Sequence, residues 1–179
     1  MPNILLVRHA QALANKGDFV AFDNISSPLT ERGLVQCGDL TTRLISEFGI
    51  KPDEYDNPVV ASEFVRPQQT AREVGFREVH ILPLLNEPDF SHGTTTGVQI
   101  VGKHRRERWA PDGARRQARE LIDLLTDDKL PYYIAFTHGM FIATVLLELE
   151  EAGHDMNDYF FDQNRCYVPL QAAITKISM

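Results

Sequence analysis

The sequence predicts a single α/β domain: a three-layer α/β/α sandwich with helices on both faces of a mostly parallel central sheet. Three observations lead there. Short apolar runs rich in β-branched residues alternate with longer stretches whose apolar positions recur at a helical period. Two of those runs end in a histidine, Ile4–Val7 leading to Arg8-His9 and Tyr132–Phe136 leading to Thr137-His138-Gly139. Such histidines stand at the carboxyl edge of a sheet, where open α/β folds hold their ligands. Finally, no internal repeat, low-complexity tract or linker interrupts the 179 residues, 43% of them apolar, so residues 1–179 form one domain. A chain of this length buries roughly two-thirds of its unfolded surface.

The elements follow in order. Residues 3–8 form a buried strand, and a polar stretch runs from there to Pro28. Leu29 to Phe48 places Leu34, Cys37, Leu40, Leu44, Ile45 and Phe48 at a period near 3.6, with Thr30 and Glu31 as its start signal, and reads as a long amphipathic helix. Residues 58–62 are a short strand, 66–74 a helix and 79–82 a strand closed by Pro83. Pro88, Gly93, Gly97, Gly102 and Pro111 mark residues 88–112 as an irregular insertion with room for one short helix. Ala114 to Thr126 is a second long helix with Ala118, Leu121, Ile122, Leu124 and Leu125 on its apolar face. A strand over 132–136, a helix over 140–151 and one or two late strands within 166–177, at a sheet edge or as a hairpin, complete the chain.

Composition narrows the function. No run approaches the ~18 apolar residues that a membrane helix needs, and Arg8-His9 stands where a signal peptide would carry a small-residue cleavage site. A soluble, cytoplasmic protein without membrane contact is expected. Cys37 and Cys166 are too few for a disulfide framework. The net charge of −7 argues against nucleic acid as a partner. One segment opposes the trend: Lys103, Arg105, Arg106, Arg108, Arg115, Arg116 and Arg119 stand against Glu107 and Asp112. That run reads first as a solvated helix face and second as a rim attracting an anionic substrate. Monomer and homodimer both stay open.

Arg66, in a third strand-to-helix corner, joins Arg8, His9 and His138 in a set of two imidazoles and two guanidiniums suited to a phosphoryl group. Taken singly, His9 and His138 read equally well as core histidines, and Arg66 as a surface ion-pair member. Their joint occurrence argues for a site. His80, His92, His104 and His154 lack such a context and read as surface residues.

These residues resemble the histidine phosphatase superfamily, the phosphoglycerate-mutase-like fold. Leu6-Val7-Arg8-His9-Ala10 resembles its R-H-G signature, and Asn15 falls where many members have an Asn. Residues 28–36 are similar to the segment P-L-T-x-x-G-x-x-Q, residues 62–71 to S-x-x-x-R-x-x-Q-T-A, and Leu85-Asn86-Glu87 to L-x-E. Thr137-His138-Gly139 resembles the final H-G, and Asn164 a late Asn. The matches keep the family's order along nearly the whole chain.

The resemblance implies a phosphomonoester hydrolase acting on a small phosphorylated metabolite. His9 is the implied nucleophile, forming a phosphohistidine. Arg8 and Arg66 supply planar, permanently charged forks for phosphate oxygens. His138 adds a donor and, if protonated, a counter-charge; Asn15 and Gly139 complete the substrate-binding set. Glu87 is the proton donor, with Asp89 as its rival, and its pKa is expected to be raised by burial. No metal or other cofactor is expected, because the positive charge comes from Arg8, Arg66 and His138.

Departures from the pattern bear on the substrate. Ala10 replaces the usual glycine, and Gln11 stands where mutase-like members often have a glutamate. Phe90-Ser91-His92-Gly93-Thr94 replaces G-x-W-E-G, and Gly113-Ala114-Arg115 replaces G-E-S. Two rivals remain, a mutase of the same family and a catalytically inactive phosphate- or protein-binding domain; the short chain favours hydrolysis over the mutase. Cys37 and Arg43 also have the C-x5-R spacing of cysteine-dependent phosphatases, but inside a helix whose backbone donors are already used.

Overall fold

The structure is a computed structural model that describes residues 3–16, 25–88, 112–126, 133–154 and 170–178. Among these residues five strands form one sheet: β1 (Asn3–Arg8), β2 (Val59–Ala61), β3 (Val79–Ile81), β4 (Ile134–Thr137) and β5 (Ile174–Ser178), in the order β3-β2-β4-β1-β5. All neighbouring pairs are parallel except β1 and β5. The late strand is therefore an antiparallel edge, with the exposed Lys176 among its residues, a feature that discourages pairing with another chain.

Among the described residues, four helices cover the sheet: α1 (Glu31–Phe48), α2 (Val65–Val74), α3 (Asp112–Thr126) and α4 (Gly139–Glu151). Because strand side chains alternate between faces, β1 divides its residues between two cores. Leu5 and Val7 pack with Val59, Ala61, Ile134 and Phe136 against α1 and α2, whereas Ile4 and Leu6 join Val60 and Ala135 against α3 and α4. This is the expected three-layer arrangement. β1, β2 and β4 read as near-continuous apolar runs because both faces are buried. Phe136 is fully buried, and its removal to alanine is expected to cost about 3–5 kcal/mol.

Local signals set the helix ends. Thr30 caps α1 by accepting from the Gly33 N–H at 3.0 Å, so the helix begins at Glu31, and Leu29 instead bridges Ala12. Gly49, at φ 67°, closes it in the left-handed conformation that glycine adopts without strain. Within the described residues no helix is long and apolar enough to cross a membrane. Of the insertion over 88–112, all but Pro88 and Asp112 lies outside the described residues, as do Asp89, Asn164, Cys166, His92, His104 and the basic residues from Lys103 to Arg108.

Candidate active site

β1 and β4 lie side by side in a register that pairs Arg8 with Thr137, so the residues that follow them, His9 and His138, leave the sheet together. The His9 N–H continues the ladder by donating to the Thr137 carbonyl at 3.0 Å. The two rings meet edge to face at 5.2 Å between centroids, both buried.

Hydrogen bonds fix the tautomer of His9. Nδ1 lies 2.7 Å from the Ala10 carbonyl oxygen, which only accepts, so Nδ1 carries the proton. Arg66 Nε donates to Nε2 at 3.0 Å, so Nε2 presents a lone pair. Burial first, then the positive surroundings of His138 and Arg66, hold the His9 pKa well below the ordinary imidazole value. The ring is held neutral, and its Nε2 lone pair faces a guanidinium.

Arg66 is the hub. It stands in the first turn of α2, buried, and Nη2 lies 3.1 Å from His138 Nδ1 and 3.5 Å from Glu87 Oε2. The Phe64 ring packs under its guanidinium at 4.9 Å and meets the His138 ring edge to face at 4.8 Å. Arg8 approaches across Gly139, the first residue of α4. A Cβ there would come within 2.8 Å of Arg8 Nε, so the glycine is required for the approach.

Glu87 reaches the site from the turn after β3. Its Oε2 is 3.0 Å from His138 Nδ1, and its Oε1 accepts from the Met140 N–H at 3.3 Å in the first turn of α4. Gln117 of α3 steadies this turn by donating to the carbonyls of Leu84 and Asn86, both at 2.8 Å. The expected rise in the Glu87 pKa is not found. Burial is the largest influence and pushes it up, but His138, Arg66 and Arg8 together outweigh burial and hold it below the usual carboxylate value. The correction is electrostatic: His138, Arg66 and Arg8 together stabilise the carboxylate that lies among them.

Thus Arg8, His9, Arg66, Glu87, His138 and Gly139 converge, while Asn15 is exposed in the short turn Leu13–Lys16 and turns its Oδ1 to the Ala12 N–H at 3.0 Å. Sequence reasoning missed the clamp beneath His9. Thr70 Oγ1 accepts from the Ala10 N–H at 3.1 Å and donates to the Arg66 carbonyl at 2.7 Å. Gln36 Oε1 accepts from the Gln11 N–H, Gln69 Oε1 accepts from the Leu29 N–H, and a Cβ on Gly33 would run into the Gln11 carbonyl. These residues stood in the quoted motifs, but their purpose needed distances.

The basic run also proves different at its described end. Arg115 pairs with Glu148 and Glu151, and Arg119 Nε lies 2.6 Å from Glu148 Oε2, so both arginines tie α3 to α4 instead of lining a mouth. Arg116 is exposed, as are His80 and His154. Cys37 is buried, and burial first, then Glu73, pushes its thiol up to about 12, while Arg43 pairs with Glu47. The thiolate that the C-x5-R alternative requires is thereby disfavoured.

His9, Glu87 and His138 bring donor atoms within 4.8 Å of one another, a spacing that a metal ion could use. Arg66 already points its guanidinium at all three, and a second cation, Arg8, stands close by. The convergence suits an anion better than a metal.

Residues 4–173 match the model of the histidine phosphatase superfamily (branch 1). No curated protein matches the chain in sequence. Among solved structures, a phosphoserine phosphatase from Entamoeba histolytica, crystallised with phosphoserine, is 20% identical, with 98% of this chain and 90% of that one covered and a TM-score of 0.63. The alpha-ribazole phosphatase from Shigella flexneri is 22% identical over 99% and 90%, with a TM-score of 0.60. A mycobacterial glucosyl-3-phosphoglycerate phosphatase in complex with VO3 is 20% identical over 99% and 91%, with a TM-score of 0.58. At these identities the likeness is one of fold.

Proposed function

This chain belongs to the histidine phosphatase superfamily, and from that premise we propose that it hydrolyses small phosphomonoesters through a phosphohistidine on His9. The observation that carries the proposal is the pair of bonds on His9: Nδ1–H to the Ala10 carbonyl, and a lone pair on Nε2 met by Arg66. An imidazole so held needs no deprotonation before attack, and its low pKa keeps it neutral in mild acid.

In the first half-reaction, Nε2 attacks phosphorus in line, the ester P–O bond breaks, and Glu87 delivers its proton to the leaving oxygen. Arg8 and Arg66 hold the equatorial oxygens, with Arg66 giving up its bond to Nε2. In the second, water attacks the phosphohistidine, the P–N bond breaks, and the Glu87 carboxylate takes the water's proton. The low Glu87 pKa fits this cycle, because a bound phosphate dianion offsets the cations that hold it down and lets the carboxyl gain its proton when substrate is present.

Acting on small phosphate esters accords with the phosphatase names of the relatives in fold and with the family; a cytoplasmic location is part of the same proposal. The test is rapid quench with labelled substrate, together with a panel of phosphomonoesters that includes the phosphoglycerates. Acid-labile, alkali-stable label on the wild type, absent in His9→Ala, is expected, with release of inorganic phosphate. Label that survives acid or persists in His9→Ala would remove His9 as nucleophile, and interconversion of phosphoglycerates without phosphate release would make the chain a mutase.

A further inference from the structure

His138 is reached on both nitrogens, and the far side of its ring leads away from the phosphoryl pocket. Nε2 lies 2.9 Å from Ser62 Oγ. That hydroxyl lies 3.0 Å from Asn86 Oδ1 and also accepts from the Phe64 N–H at 3.1 Å. Asn86 Nδ2 in turn donates to the Glu63 carboxylate at 2.6 Å, while its Oδ1 accepts from the Glu63 N–H at 2.9 Å.

Donor and acceptor rules allow one reading of this chain. The Glu63 carboxylate only accepts, so the Asn86 amide must face it with its NH2; the Glu63 N–H only donates, so the Asn86 oxygen faces the other way. Ser62 has one proton and gives it to that oxygen. Its lone pairs are left for the Phe64 N–H and for His138, whose Nε2 must therefore carry a hydrogen.

We infer that Ser62, Asn86 and Glu63 are positioning residues that lock the proton on Nε2 of His138 and reserve Nδ1 for the reaction. The consequence lies on the near side of the ring. There Nδ1 meets the Arg66 guanidinium at 3.1 Å and Glu87 Oε2 at 3.0 Å. With a second proton the ring donates from Nδ1 to the Glu87 carboxylate; once that proton has passed to Glu87, Nδ1 accepts from Arg66. Every change of charge on His138 thus occurs on the atom that touches the proposed proton donor, with Arg8, Arg66, Glu87 and His9 as the charged and titratable groups facing it. Ser62 is buried, so water cannot replace its hydroxyl without rearrangement.

The functional consequence rests on the proposed hydrolysis, but the proton's location does not, and the experiment separates the two. Imidazole ¹⁵N spectra of the wild type should show His138 protonated at Nε2. Ser62→Ala should move protonation toward Nδ1, shift the pH profile of kcat and lower kcat for alkyl phosphates roughly 10- to 100-fold, similar to the loss when the outer partner of a metal-bound histidine is removed. Asn86→Asp sets two carboxylates against each other and should lose activity as well. Adding Glu63→Gln restores a donor to the link and should recover much of that loss, which a merely structural role for Asn86 would not explain. A wild-type ring without hydrogen on Nε2, a Ser62→Ala protein with unchanged tautomer and pH profile, or no rescue by Glu63→Gln would overturn the inference. Nε2 protonation that responds to Ser62→Ala in a protein with no phosphatase activity would uphold the lock and refute the hydrolysis.

Discussion

Two clusters in this molecule both set arginines against glutamates and behave differently. Between α3 and α4, Arg115 and Arg119 meet Glu148 and Glu151, so that positive and negative charges balance. At the carboxyl edge of the sheet, Arg8 and Arg66 meet one carboxylate, Glu87, and two imidazoles whose pKa values burial drives down. The first cluster is closed: each carboxylate has guanidinium partners, and the pairing raises the Arg115 pKa, chiefly through its hydrogen bond to Glu148. In the second, both arginine pKa values are lowered, burial being the main cause. Desolvated positive charge in excess of its counter-charge attracts an anion. What separates the helix clamp from the candidate site is the balance of charge and the degree of burial around a shared arginine–glutamate pairing.

The comparison can be broken most sharply at Glu87. Glu87→Gln keeps the shape but removes the transferable proton, and should slow alkyl phosphate hydrolysis on the order of 10²–10⁴-fold while sparing aryl phosphates, whose phenolate leaves unaided. Parallel kcat measurements on both substrate classes check it; equal losses would move the role elsewhere. Arg66→Lys keeps the charge and loses the fork that reaches His9, His138 and Glu87 at once. A fall in kcat/KM of roughly 10²–10³-fold is expected, similar to the loss of one transition-state donor.

The closed cluster should answer in stability alone. Glu148, its side chain 6% exposed, holds two guanidiniums, of which Arg119 is 59% exposed. Glu148→Gln should cost about 1–3 kcal/mol in denaturant unfolding and leave kcat unchanged, with solvent screening at Arg119 keeping the figure modest. A fall in kcat at full stability would place this cluster in recognition after all.

Acid offers the smallest and most general test. His9 and His138 have lowered pKa values in the folded state, so below the unfolded imidazole value of about 6.5 the unfolded chain binds more protons than the folded one. Stability is therefore full above that pH and falls as pH drops through it, by at most about 1.4 kcal/mol per pH unit for each group. Glu87, also lowered, adds a loss of the same sign at lower pH. Comparing unfolding midpoints at pH 7 and pH 5, His9→Gln should show the shallower loss. An equal loss would mean that His9 is not held neutral by the fold.

Much of the architecture was legible in the sequence because its signals are local. The period of α1, the β-branched runs of β1 and β2, and the corners that carry Arg8, His9, Arg66 and His138 are written within a few residues of where they act. The helix period is equally visible in α3, yet its arginines looked like a solvated face or a rim until Glu148 was brought to them. Ser62, Gln69 and Thr70 lay in a recognisable motif without a purpose that residue order could reveal.

The sequence by itself thus determined the family, the layer order and the strand-to-helix corners that carry Arg8, His9, Arg66 and His138, though not the place of Asn15, since periodicity and motif order are properties of the chain. Tertiary structure alone decided the charge states. Arg66 lies 57 positions from His9 and 72 from His138 along the chain, and Ser62 lies 76 from His138. The proton on Nδ1 of His9, the one on Nε2 of His138 and the lowered Glu87 pKa depend on burial and on distances of 3–4 Å between such groups, and electrostatic energy is set by separation in space and by solvent access, whatever the separation in sequence.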